Sequence, residues 1–431
     1  MGCSGNPLIN TPNIDRLAHE GVRFNHAYTS FPLCCPFRAS VMTGKYAHSN
    51  GMFANHYPIP LDQTFLAEVF RDNGYRTGYI GKWHLDGGIK HGYIPPERRL
   101  GFEYFVGFNR GHQYFNSVFY RNDDPTPRMC KRFEPEFQTE HLIEFLDSRD
   151  DRPFLAMISY GPPHPPLVMT DHYKNMYNPN DVTIRGNTPD TEKARNFLGP
   201  YYGLTTAIDD EVGRILTYLD KNDLSDNTII YFVSDHGEMA GEHNLSGKRV
   251  YHEASMRVPL IVRHPASISG NRVVDHLVDP GIDTMPTLLD LCNIPIPTDV
   301  QGVSFAPLLN NSDEPIHDAI HYELLKESEG PEKTPIPQRG VRTHNYLYVR
   351  DEDGPVVLFD LQNDPLEKNN LANHADYTST INELDALLTD HMHRTNDNWA
   401  VEAIFPPPNF QTHGEGAQYF EQIVKEAIIE P

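Results

Sequence analysis

The sequence predicts an α/β protein: a mostly parallel sheet sandwiched by helices, followed by a smaller antiparallel unit toward the C-terminus. Three observations lead there. Apolar runs of strand length alternate with segments of helical periodicity over the first 318 residues. Those runs are apolar at nearly every position, as strands covered on both faces are. From Ala319 onward the pattern changes to a hairpin and a late helix.

The elements follow in order. In "FPLCCPFRASVMTGKY", Pro36 suits the first position of a short helix and Gly44 the position just past its end. "TFLAEVFRDNGY" is a helix that stops at Gly74, followed by the strand "RTGYIG". "TEHLIEFLDSR" is a helix before the apolar run "FLAMISY", and "YYGLTTAIDDEVGRILTYLDKN" is a long amphipathic helix before "TIIYFVS". "VPLIVR" is another buried strand. "YLYVRDEDGPVVLFDL" reads as a hairpin around Asp-Gly, and "TSTINELDALLTDHMH" as a helix. The expected division is therefore 1–318 and 319–431.

Composition removes several function classes. With 36 Lys+Arg against 59 Asp+Glu, the net charge is −23, the opposite of a nucleic-acid or anionic-membrane binder. No apolar run approaches the ~18 residues of a membrane span. The N-terminus shows no signal peptide, and its Met-Gly start has Asn6 where myristoylation requires Ser or Thr. The 5 cysteines are few and odd in number, which argues against a disulfide framework. Cys3, Cys130 and Cys292 lack the paired spacing of a zinc site. Six residues after Cys34 and Cys35 stand Ser40 and Val41, not the arginine a thiol phosphatase needs.

A free cysteine is usually a small buried hydrophobe, and Cys35 reads that way. Cys34 differs, because the helix beginning at Pro36 points its N-terminus at it. Unpaired N–H groups at such an end favour an anion, and Arg38, one turn in, adds a planar cation suited to sulfate or phosphate. Ligands in α/β sheets gather beyond the carboxyl ends of strands. There "GKWHLD" supplies Lys82 and His84, "GPPHPP" supplies His164, and "DHGEMAGEHNLSGK" supplies Asp235, His236 and Lys248. One such histidine is more often structural; three strands delivering to one edge point to a site.

These residues carry a family resemblance. "CCPFRASVMTG" resembles the C-x-P-x-R signature of the type I sulfatases. "TPNIDRLAHEGVRF", "GKWHLD", "SDHGEMAGEH", "YHEASMRVPLIV", "RGVRTHNYLYV" and "LFDLQNDPLEKNNLA" resemble that family's further blocks, in order, over nearly the whole chain. The resemblance implies an alkaline-phosphatase-like fold and hydrolysis of sulfate esters. It implies that Cys34 is oxidised by a maturation enzyme to formylglycine, whose hydrate is the nucleophile, supported by Arg38. Asp235, His236 and Cys34 match metal ligands, for calcium or, as the alternative ion, magnesium. Many members carry Asn where His236 stands. Lys82 and Lys248 match lysines that clamp the sulfate, and His84 and His164 match histidines around it, with His164 the expected proton donor. A periplasmic or secreted location goes with the family.

One departure matters. The family's first strand ends in Asp-Asp and supplies two metal ligands upstream of "TPNIDRL"; here only "MGCSGNPLIN" precedes that block, and Asp15 belongs to the following helix. The expectation is that this strand lies upstream of Met1. The alternatives are a phosphodiester or phosphonate monoester hydrolase with the same signature, or an impaired protein that binds sulfated glycan. Finally, "ERRLGFEYFVGFNRGHQYFNSVFYRNDDPTPR" holds Asn109, Arg110 and His112, which suit a pocket mouth that takes a sulfated saccharide. Most of its aromatics are expected to fill core.

Overall fold

A computed structural model describes residues 1–87, 89–148, 150–325, 337–399 and 421–430. The strands in chain order are β1 Val22–Ala27, β2 Arg76–Lys82, β3 Tyr104–Phe108, β4 Ser117–Arg121, β5 Asp124–Cys130, β6 Phe154–Ser159, β7 Ile230–Val233, β8 Leu260–Arg263 and β9 Arg272–Val278. A second group holds β10 Ile320–Leu324, β11 Gln338–Arg342, β12 Tyr346–Arg350 and β13 Pro355–Asp360, and β14 is Ile428–Glu430. They form three sheets with orders β14-β5-β4-β3-β2-β6, β7-β8-β1-β9 and β10-β11-β12-β13.

The "RTGYIG" and "FLAMISY" runs become β2 and β6, which pair in parallel, and β2 also pairs in parallel with β3. Close approach explains the second glycine of β2. Gly81 has φ +106, and a Cβ there would meet the Ser159 carbonyl oxygen at 2.3 Å. The sheets are mixed overall: "VPLIVR" forms β8, which runs antiparallel to both β1 and β7, and β3-β4-β5 is an antiparallel meander. A short apolar run carries no information about strand direction, so the sequence pattern does not show this.

Helices Pro12–Glu20 and Glu134–Asp147 both pack against Thr191–Lys221, and Glu134–Asp147 also covers β2 and β6. The strands expected to be buried on both faces are only half covered at β6 and β7. Each is the last strand of its sheet, and both line one cavity of about 1270 Å³ whose walls include Ile14, Leu17, Leu142, Ile208 and Leu216.

The small antiparallel sheet is built as a meander, with the Asp-Gly turn at Gly354 (φ 137) joining β12 to β13. Helix Thr378–Thr395 lies on β11 and β12. Its other side is continuous with the residues before Cys34: Tyr28, Phe31 and Leu33 share one apolar cluster with Tyr322, Leu347 and Phe359. That cluster fixes the entry to the Cys34 helix from behind. The strand β14 pairs with β5, so the last described residues belong with the first sheet rather than with the small one. No helix among the described residues is long and apolar enough to cross a membrane.

Candidate active site

The helix begins two residues earlier than Pro36 suggests, at Cys34, and ends at Thr43 with Gly44 in the left-handed region (φ 65). Leu33, extended and without a side-chain cap, precedes it, which leaves first-turn N–H groups for other partners. One is taken at once: Cys35 N donates to Asn55 Oδ1 at 3.0 Å. The Cys35 thiol, fully buried, donates to the His84 carbonyl at 2.9 Å. Burial and the nearby Cys34 push it up to about 12, so Cys35 stays a thiol and acts as a brace between helix and loop.

Cys34 has the opposite environment. Burial raises its thiol, but Lys248, Lys82 and His236 outweigh that and hold it well below the ordinary range. Its Sγ lies 3.5 Å from His236 Nε2. His236 Nδ1 donates to the Gly237 carbonyl at 2.8 Å, and its Nε2 faces Cys34 and Asp235. Burial also raises Asp235, yet His236, Arg38, Lys82 and Lys248 together hold its carboxyl far below the carboxylate range. One ligand atom from each of Cys34, Asp235 and His236 falls within 4.8 Å of the others. A carboxylate and an imidazole nitrogen suit a divalent cation, though three donors fill only part of the coordination shell that calcium takes.

Arg38 is anchored from β2 and β6. Its Nη1 donates to Tyr79 Oη (3.1 Å), the Lys82 carbonyl (2.8 Å) and Ser159 Oγ (2.8 Å), and its Nη2 lies 3.8 Å from Asp235 Oδ2. Two lysine–histidine pairs complete the floor: Lys82 Nζ is 3.2 Å from His112 Nε2, and Lys248 Nζ is 2.7 Å from His164 Nε2. An ammonium can only donate, so both Nε2 atoms accept and both rings carry their proton on Nδ1. His164 Nδ1 gives that proton to the Pro165 carbonyl at 2.6 Å. Burial first, then the lysine charges, bring His164 down to about 2 and lower His112 as well. His164, the histidine expected at the leaving group, thus meets the Lys248 ammonium through its Nε2.

The residues expected at a pocket mouth separate into three. Asn109 is 1% exposed and spends its amide on the Asp86, Gly87 and Ile89 carbonyls, so it braces the loop after β2 and faces no ligand. His112 lies deeper than expected, on the floor beside Lys82. Arg110, half-buried after β3, reaches His56 Nε2 at 3.2 Å. His56 is the residue that sequence reasoning missed. It follows a short helix rather than a strand, so no strand-end signal marks it, yet its Nδ1 lies 3.1 Å from His84 Nε2.

Two other imidazole–carboxylate clusters do not suit a metal. Arg339 takes both oxygens of Asp397 beside His48 and Glu323. His243 and His252, beside Glu367, stack with ring centroids 4.0 Å apart, which points their in-plane lone pairs along parallel planes.

Comparison with known proteins gives the family. The family model "Sulfatase" matches residues 1–294, and the model "N-sulphoglucosamine sulphohydrolase, C-terminal" matches 241–394. An ulvan-active sulfatase of Formosa agariphila is 36% identical over 407 residues, 93% of this chain and 79% of its own. An N-acetylglucosamine-6-O-sulfatase of Bacteroides thetaiotaomicron is 26% identical, over 92% of this chain and 84% of its own. A structure solved with its substrate D-glucosamine-2-N,6-O-disulfate superposes with a TM-score of 0.82 at 26% identity, covering 92% of this chain and 95% of that one. The match along most of the chain, with the signature cysteine, lysines and Asp-His pair gathered at one edge, places it in the sulfatase family, on the alkaline-phosphatase-like fold.

Proposed function

We propose that this chain hydrolyses sulfate esters on an anionic saccharide, with Cys34 converted to formylglycine by a maturation enzyme. The observation that carries the reading is the convergence of Lys82, Lys248 and Arg38 on Cys34 opposite Asp235 and His236. Three cationic side chains around one buried nucleophile position match the charge that builds on sulfuryl oxygens and on the leaving oxygen.

The converted side chain would supply a geminal diol, one oxygen of which displaces the alcohol from sulfur while the other expels sulfate as the aldehyde returns. The chain's own groups do the rest. Arg38, fixed by three bonds from Nη1, holds the nucleophile's surroundings and keeps Asp235 ionised. Lys82 and Lys248 bind the sulfate oxygens. Lys248, oriented by His164, supplies a proton at the leaving-group side. Asp235 and His236 would hold a divalent cation, calcium or magnesium, which would lower the charge on the attacking group. The saccharide reading rests on the ulvan- and glucosamine-directed relatives and on Arg110, whose planar fork suits a uronate or second sulfate. The family's periplasmic or secreted location fits a polysaccharide substrate.

The test is coexpression with a formylglycine-generating enzyme, then peptide mass spectrometry at Cys34 and assays on sulfated oligosaccharides and phenyl phosphonate esters. Expected are an aldehyde or hydrate at Cys34 and higher kcat/KM on the sulfated sugar. Turnover by protein with an intact Cys34 thiol, or preference for the phosphonate, overturns the proposal.

A further inference from the structure

Two histidines and an arginine form a chain that reaches the loop directly after Lys82. His84, 4% exposed, has its Nε2 3.1 Å from His56 Nδ1, and His56, 7% exposed, has its Nε2 3.2 Å from Arg110 Nη1. A guanidinium donates and never accepts, so His56 Nε2 must be the acceptor and the His56 proton sits on Nδ1. That N–H points at His84 Nε2, which must in turn accept. The proton of His84 is thereby placed on Nδ1, and an imidazolium is excluded, since it would set N–H against N–H. His84 Nδ1 is buried and makes no hydrogen bond among the described residues. Burial and the charges of Lys82 and Arg38 act on the same ring and keep it neutral. Both His56 (φ 73) and His84 (φ 62) hold left-handed backbone that costs a β-carbon residue strain, which the surrounding fold maintains at this point.

We propose that His56 and Arg110 are positioning residues that lock His84 as the Nδ1–H tautomer, giving the site a neutral N–H donor for a sulfuryl or leaving oxygen. A buried donor left without an acceptor is costly, and an oxyanion substrate would relieve it. No proton is transferred in this role: His84 donates a hydrogen bond while Arg110 and His56 fix the direction. The placement of the donor rests on the sulfatase reading; the tautomer does not.

The experiment separates the two. Nitrogen chemical shifts of histidine-labelled protein report the tautomer, with His84 assigned by its loss in His84→Gln. Expected is Nδ1–H at His84 in the wild type and in Arg110→Lys, which keeps a donor, and a mixed or Nε2–H state in Arg110→Met. His56→Leu should lower kcat on nitrophenyl sulfate at least tenfold with KM little changed. His56→Asn, whose amide N–H falls near the place of Nδ1, should recover much of that loss. An Nε2–H form of His84 in the wild type, or an unchanged tautomer in Arg110→Met, overturns the proposal. A correct tautomer with no sulfatase turnover would refute only the reaction assigned to the site.

Discussion

His112 and His164 lie face to face, ring centroids 3.7 Å apart and planes 2° from parallel, and each turns its Nε2 to a different lysine. The stack holds two ammonium groups at fixed separation without using charge on either ring. Its consequence is a pH profile. His164 is neutral above about pH 2, so it does not titrate between pH 5 and 8. Lys82 is lowered from the ordinary lysine value by burial, so its ammonium is present at low pH and lost as pH rises through that depressed value. The kcat/KM of the mature enzyme should fall on the alkaline side. Lys82→Arg, which stays charged, should move that limb to higher pH at roughly tenfold lower rate. A limb near pH 6 that disappears in His164→Gln would contradict this.

The adjacent cysteines should behave as opposites. Cys34→Ala should cost on the order of 10⁴-fold or more in kcat, as removal of a nucleophile does. Cys35→Ala removes only a thiol–carbonyl bond beside His84, and should lower stability by about 1 kcal/mol with the Cys34 peptide still converted. Thermal melts and peptide mapping check both halves.

Metal preference should follow His236. Replacing its nitrogen with the oxygen of His236→Asn hardens the donor set and should favour calcium over softer divalent ions. Metal analysis after chelation and reloading reads the shift directly. Chelation should abolish turnover in both proteins.

Arg110→Lys keeps a donor for His56 but loses the planar fork. On a sulfated uronate-containing oligosaccharide, kcat/KM should fall about tenfold, the worth of one charged contact. The loss on nitrophenyl sulfate should be far smaller. Equal losses on both substrates would remove Arg110 from saccharide recognition.

Much of this architecture was legible because strand ends and charge coincide in sequence. Lys82 and Asp235 stand at the ends of apolar runs and His164 a few residues after one, and the strands of two sheets deliver them. Direction was not legible: "VPLIVR" is as apolar as "FLAMISY", but one runs antiparallel to its neighbours and the other parallel. Neither was the use of a polar side chain. Asn109 and Arg110 are adjacent, and only the fold shows that the first is consumed by three carbonyls while the second reaches an imidazole. His56 was invisible because its partner stands 28 residues away on another loop.

Among the described residues, β6 and β7 each pair on one side only, and the sides left over face the same cavity. Amides there should exchange hydrogen for deuterium sooner than those of β2 or β8, which are paired on both sides.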